Sequence, residues 1–177
     1  MRKVLISLLL LLFVVQTNAQ VKASADAAKA LDKAKLEVQN PKKASNPVSW
    51  VKLGTAYADC YDAPIKGIWQ GASQMEAKML LKDQQILSSA QEEKNGRVFS
   101  VDQYADKALY YDENGALAAW IVKEPAIKDV NPLVESFNAF KKANELDAKG
   151  SQKKVVTEQL KSLQNRFVNE AMSYYTL

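Results

Sequence analysis

The chain has no histidine, one cysteine, six glycines and five prolines in 177 residues. Without histidine there is no Ser-His-Asp or Cys-His pair, no imidazole metal site and no unperturbed side chain that titrates near neutrality. A lone cysteine excludes an intrachain disulfide and a thiolate zinc cluster. Cys60 lies three residues after Tyr57 on the same helical face and reads as a small apolar core residue. The glycines form no phosphate-binding loop. Asp112-x-Asn114-Gly115 matches the opening of a calcium loop, but the later ligands and the closing glutamate are missing, so it reads as a turn. Glu92-Glu93 is an acidic pair beside a turn with no facing acid that the sequence identifies, and the second acid of a carboxylate-pair glycoside hydrolase would be distant in sequence, so that chemistry stays open as a weaker alternative. The expectation is a protein that is not an enzyme, with no catalytic residue, cofactor or metal.

Long apolar runs are scarce too. Arg2 and Lys3 precede the apolar stretch Val4 to Val15, and Thr17-Asn18-Ala19 follows. This is the pattern of a secretory signal peptide, residues 1–19, and the run is short of the roughly 20 apolar residues a membrane span needs. No cysteine stands near the expected cleavage point, so no lipid anchor is expected. The product should be periplasmic or secreted, with no integral span after cleavage. Loss of Arg2 and Lys3 lowers the formal charge from +4 to about +2, which offers nucleic acid little. Lys42-Lys43, Lys141-Lys142 and Lys153-Lys154 read as solvated helix surface.

About 158 residues remain after cleavage, enough for one compact domain or a short helical array with an appended unit. From Ser24 to Gln39 the composition favours helix, and Ala27, Leu31 and Ala34 form an apolar stripe that must end before Pro41. Asn46-Pro47 starts a second helix, with asparagine as cap and proline in the first turn, running to about Tyr61. Residues 20–61 are thus a helix pair. From 62 to 130 the pattern changes. Ser73 to Lys82 predicts a short amphipathic helix with Met75, Met79 and Leu80 inward. Asn95-Gly96 separates two strand-like runs, 86–93 and 97–104, and Asp112 to Gly115 separates two more, 107–111 and 116–123. A three- or four-stranded antiparallel meander carrying one helix is expected there. Helical spacing returns over 131–177. The last helix, from Ser151 to Tyr175, is expected to turn Val155, Leu160, Leu163, Phe167, Ala171 and Tyr174 to one side.

Trp50, Leu53, Gly54 and Tyr57 spell W-x2-L-G-x2-Y, and Ser136, Phe140 and Ala143 fit A-x3-F-x2-A with serine in the first place. Together they resemble the two helices of a tetratricopeptide repeat (TPR), split by the intervening segment. The resemblance implies a mainly α fold of antiparallel helix hairpins with a small inserted α+β module. It implies contact between Trp50 or Tyr57 and Phe140, and a non-enzymatic, exported scaffold whose helical groove binds a protein or peptide, with Asn46, Lys52 and Thr55 as groove-facing residues. Phe167, Ala171 and Tyr174 fit the start of a further repeat, so the polypeptide is expected to continue beyond Leu177.

The insert more weakly resembles the SmpA/OmlA domains of outer-membrane assembly lipoproteins. Gly71-Ala72-Ser73-x2-Glu76 opens its helix, Leu80-Leu81 ends it, and Leu109-Tyr110-Tyr111-x3-Gly115 with Trp120 marks the strands. The Gly-Lys-Pro expected after the helix is absent. This likeness implies an alternative, an envelope assembly factor acting through the insert. Tyr110 and Tyr111 point to opposite faces of one strand, so Tyr110, Tyr111 and Trp120 are candidate partner contacts. A glycan-binding or glycan-processing envelope protein is a weaker alternative.

Overall fold

The computed structural model describes residues 22–65 and 67–177; the leader segment read in the sequence, 1–19, lies outside them. The helices are α1 (22–39), α2 (Pro41–Ala44), α3 (Pro47–Asp62), α4 (Gln74–Leu80), α5 (Pro132–Leu146) and α6 (Lys153–Thr176). The strands are β1 (Ser88–Lys94), β2 (Arg97–Gln103), β3 (Lys107–Tyr111) and β4 (Leu117–Val122). Two compact units emerge. Residues 24–64 and 125–172 form a helical unit, and residues 65–124 with 173–177 form a sheet unit.

One local device starts α2, α3 and α5. Asn40, Asn46 and Asn131 each stand before a proline, and each side chain accepts a backbone N–H of the first turn, at 2.9–3.0 Å to residues 42, 48 and 133. Proline at the first helical position forfeits an N–H that has no intrahelical acceptor anyway. In the helical unit, Leu31 and Ala34 of α1 pack with Leu53, Ala56, Tyr57 and Cys60 of α3 and Ala139 of α5. A second cluster joins Val51 of α3, Leu133, Phe140 and Ala143 of α5, and Val156 and Leu163 of α6.

The four strands make one antiparallel sheet in the order β1-β2-β3-β4. Asn95 and Gly96 take φ of 51° and 74°, the left-handed pair that a two-residue loop needs between twisted strands, and Lys94 faces Arg97 across it. One face of the sheet carries Phe99, Val101, Ala108, Tyr110 and Ala119, with Leu177 packed on them. The other carries Asp102, Lys107, Leu109, Tyr111 and Leu117, all essentially without solvent contact. Helix α4 lies over this second face, since Gln74 and Lys78 reach Asp102 from it. Ser73 and Glu76 form a reciprocal capping box at its start.

Three expectations are corrected. The fold is α+β and not a mainly α repeat: among the described residues one four-stranded antiparallel sheet with its own two-sided core stands beside the helical unit. A helix-pair signature specifies how two helices pack and says nothing about how many pairs follow. In α4, Met75 and Met79 are about three-quarters exposed and Leu80 is 44% exposed, while Ala77 and Leu81 face inward. In α6, Val156 and Leu163 are buried, whereas Val155, Phe167 and Tyr174 are exposed. The inward position after Leu163 belongs to Arg166, whose guanidinium donates to both carboxylate oxygens of Asp62 at 2.5–3.1 Å.

Candidate interaction site

The signature residues are spent on packing α3 against α5. An added Cβ on Gly54 would lie 2.6–2.9 Å from ring carbons of Phe140, so only glycine admits the ring at this distance. The Ser136 hydroxyl donates to the Gly54 carbonyl at 2.7 Å, a bond that alanine, the usual residue there in the repeat pattern, would not make. Trp50 packs against the cluster holding Phe140 and donates its indole N–H to the Ala44 carbonyl at 2.8 Å. Leu53, Tyr57 and Ala143 are buried. Phe140 thus contacts α3 some eighty residues earlier, as the split signature requires.

The three groove candidates fare differently. The Asn46 side chain is committed to capping α3, and Thr55 is half-buried. Lys52 is exposed, with its ammonium 3.3 Å from Glu37 Oε1. Glu37 also accepts from the Ser49 hydroxyl at 3.2 Å and has Lys43 at 3.5 Å. Partial desolvation pushes the Glu37 carboxyl upward, but Lys52, Ser49 and Lys43 outweigh it and hold the group below the usual carboxylate range. Cys60 is buried, and desolvation beside Asp59 pushes its thiol up to about 11, which keeps it an unreactive apolar residue.

The helical unit also presents apolar side chains to solvent outside its buried stripes. Val134 and Phe137 sit one turn apart on α5, 44% and 45% exposed, along the border of the stripe formed by the buried Leu133, Ser136 and Phe140. Val168 and Met172 do the same on α6. Apolar residues lying off the buried stripe were the available signal.

In the sheet unit, Tyr110, Tyr111 and Trp120 are all buried, so none presents its ring as a contact surface. Consecutive tyrosines do point to opposite faces, but β3 is central and covered on both. Two of the buried polar groups in this unit are charged, Asp102 and Lys107. The Asp102 carboxylate accepts from the Ser89 hydroxyl at 2.5 Å and the Gln74 amide at 3.1 Å. The Lys107 ammonium donates to Gln84 at 2.7 Å and to Asp106 at 2.8 Å. Burial pushes the Lys107 ammonium down from its ordinary value, against the pull of Asp106. A hollow of about 760 Å³ opens at the hairpin ends, lined by Arg97, Phe99, Asp112, Asn114 and Leu117 among others. Asp112 serves the turn, its Oδ1 accepting the N–H groups of Asn114 and Ala116 at 2.9 Å.

Among the described residues, no three of Asp, Glu, His and Cys converge as a metal site, and no helix is long and apolar enough to cross a membrane. Comparison with protein-family models, with curated proteins and with solved structures finds no match to this chain.

Proposed function

We propose that the chain is a non-enzymatic interaction scaffold of the bacterial cell envelope that holds another protein on its helical unit. The observation that carries this reading is the division of labour on α5. Its buried side locks onto Gly54 through Phe140 and Ser136, while Val134 and Phe137 each keep nearly half of their surface exposed. Solvent-facing apolar pairs on a firmly held helix are suited to a partner's apolar anchors. The likeness of α3 and α5 to a TPR helix pair supports the same reading, and the signal-like leader supports export.

The test is photocrosslinking in intact cell envelopes with a photoreactive residue at Phe137 or Val168, compared with Met75 or Arg97. Adducts to one protein from the first two positions support the proposal. Adducts confined to Met75 or Arg97 would transfer the role to the sheet unit, the envelope-assembly alternative. The exposed Met75–Met79 pair, one turn apart on α4, favours that second reading.

A further inference from the structure

The two edges of the sheet are treated differently. The outer edge of β4 is partly occupied: Leu117 exchanges backbone bonds with Gly71 and Ala72 at 2.7–2.8 Å, and the Gln70 amide donates to the Ala118 carbonyl at 3.2 Å. The outer edge of β1 receives no such cover among the described residues, and Ser88, Ser89, Ala90 and Gln91 are exposed in succession.

Which groups of β1 face outward follows from the register. Tyr104 N–H bonds the Lys107 carbonyl, so the even-numbered residues of β2 bond toward β3 and the odd-numbered ones toward β1. The tight Asn95-Gly96 loop closed by Lys94 and Arg97 has the same parity, as does Leu87 N–H on the Gln103 carbonyl, where an extra residue bulges. Ser88, Ala90, Glu92 and Lys94 therefore spend their backbone groups on β2. The N–H and C=O groups of Ser89, Gln91 and Glu93 point away from the sheet.

The geometry points to a second copy of this chain as the occupant of this edge, joined antiparallel about a two-fold axis through Gln91 to make a continuous sheet. The three outward residues are symmetric about Gln91, so Ser89 meets Glu93 of the other copy, Gln91 meets Gln91, and every outward group finds a partner. Side chains agree with this register. Ala90 falls opposite Glu92 and Ser88 opposite Lys94, with no like charges facing. Centring on Glu92 would set two carboxylates against each other. Centring on Ala90 would bring the bulged Leu87 into the ladder and lose a pair. The strand has no proline and no bulge within its length, and its three charges, Glu92, Glu93 and Lys94, gather at one end, where this register sets Ala90, Ser89 and Ser88 opposite them. This inference is independent of the partner proposed for the helical unit.

Sedimentation equilibrium of the full chain tests it. The weight-average mass should rise with concentration toward twice the monomer mass. Gln91→Pro deletes an outward N–H without touching the β2 ladder, so it should preserve the circular dichroism spectrum and weaken self-association by about tenfold or more. Gln91→Ala should associate like the parent. Under mild oxidation, Gln91→Cys should form a disulfide-linked dimer and Glu93→Cys should not, since Glu93 faces Ser89 in this register. The Cys pair decides the matter if the proline variant fails to fold. A chain that stays monomeric at all concentrations overturns the proposal, as does a folded Gln91→Pro that dimerises normally, or crosslinking at Glu93→Cys in place of Gln91→Cys.

Discussion

The helical unit and the sheet unit solve the problem of a small interior in opposite ways. The helical unit is held by shape: a glycine faces an aromatic ring, and the surrounding buried residues are aliphatic or small, with Trp50 and Tyr61 packed at their border. Its ion pairs, Glu37 with Lys43 and Lys52 and Asp62 with Arg166, stand at the margins. The sheet unit places charge inside. Asp102 and Lys107 have no solvent contact, and the buried Tyr111 hydroxyl has no hydrogen-bond partner. A shape-packed interior fails when volume changes, whereas a polar one fails when a partner is removed. Amide hydrogen exchange resolved by segment can separate the two units, because each has its own backbone amides to report its opening.

Phe140→Ala should be the largest break, destabilising the helical unit by about 3–5 kcal/mol through loss of buried surface and a cavity over Gly54. Equal loss of protection in β2 and β3 would show that the two interiors are not independent. Asp102→Ala should destabilise the sheet unit by about 2–4 kcal/mol, since Ser89 and Gln74 lose their acceptor inside the protein. Protection in α3 and α5 should be unchanged. Gly54→Ala adds a single methyl group against a ring that is itself enclosed, and about 1–3 kcal/mol is expected from overpacking, read by denaturant melts of the helical unit. A neutral Gly54→Ala would show that the Phe140 ring can slide aside. Tyr111→Phe should stabilise the sheet unit by about 1 kcal/mol, because it deletes a buried hydroxyl without a partner.

The smallest effect concerns pH. The Glu37 carboxyl is depressed in the folded state, so its contribution is fully present above the ordinary carboxylate value of 4.5 and is lost as pH falls through the lower folded value. Glu37→Gln should flatten the acid side of the helical unit's stability curve, measured by melting temperature against pH. An unchanged curve would mean that Lys43, Lys52 and Ser49 hold the carboxylate no better than water does.

Much of the local structure was legible in the sequence. Asn-Pro pairs marked helix starts because the cap and the fixed backbone angle act within three residues. Asn95-Gly96 marked a hairpin for the same local reason. The pairing of α3 with α5 was legible because Gly54 and Phe140 are a lock and its filling, recognisable at any separation. The fold class is not legible there, since a helix-pair signature carries no count of pairs. The inward face of α4 was misjudged because seven residues offer two equally good stripes, and neighbours choose between Met75–Met79 and Ala77–Leu81. The buried charges were hidden in the sequence: Asp102 draws its partners from positions 74 and 89, and nothing near it in the chain announces them. Tyr110 and Tyr111 looked divided between core and solvent because alternation along a strand does not reveal whether both faces are covered.

The 82-residue separation between Gly54 and Ser136 has a consequence in time. A ribosome adding roughly 5–20 residues per second needs about 4–16 s to pass from one to the other. Through that interval α3 has been made with Val51 and the surface around Gly54 uncovered, while Leu53, Ala56 and Tyr57 have α1 alone to pack on. The sheet, whose strands pair with their immediate successors, can form meanwhile and shorten the effective loop that α5 must close. Newborn chains are therefore most adhesive in α3, and a chaperone that grips apolar helices would find its longest opportunity there.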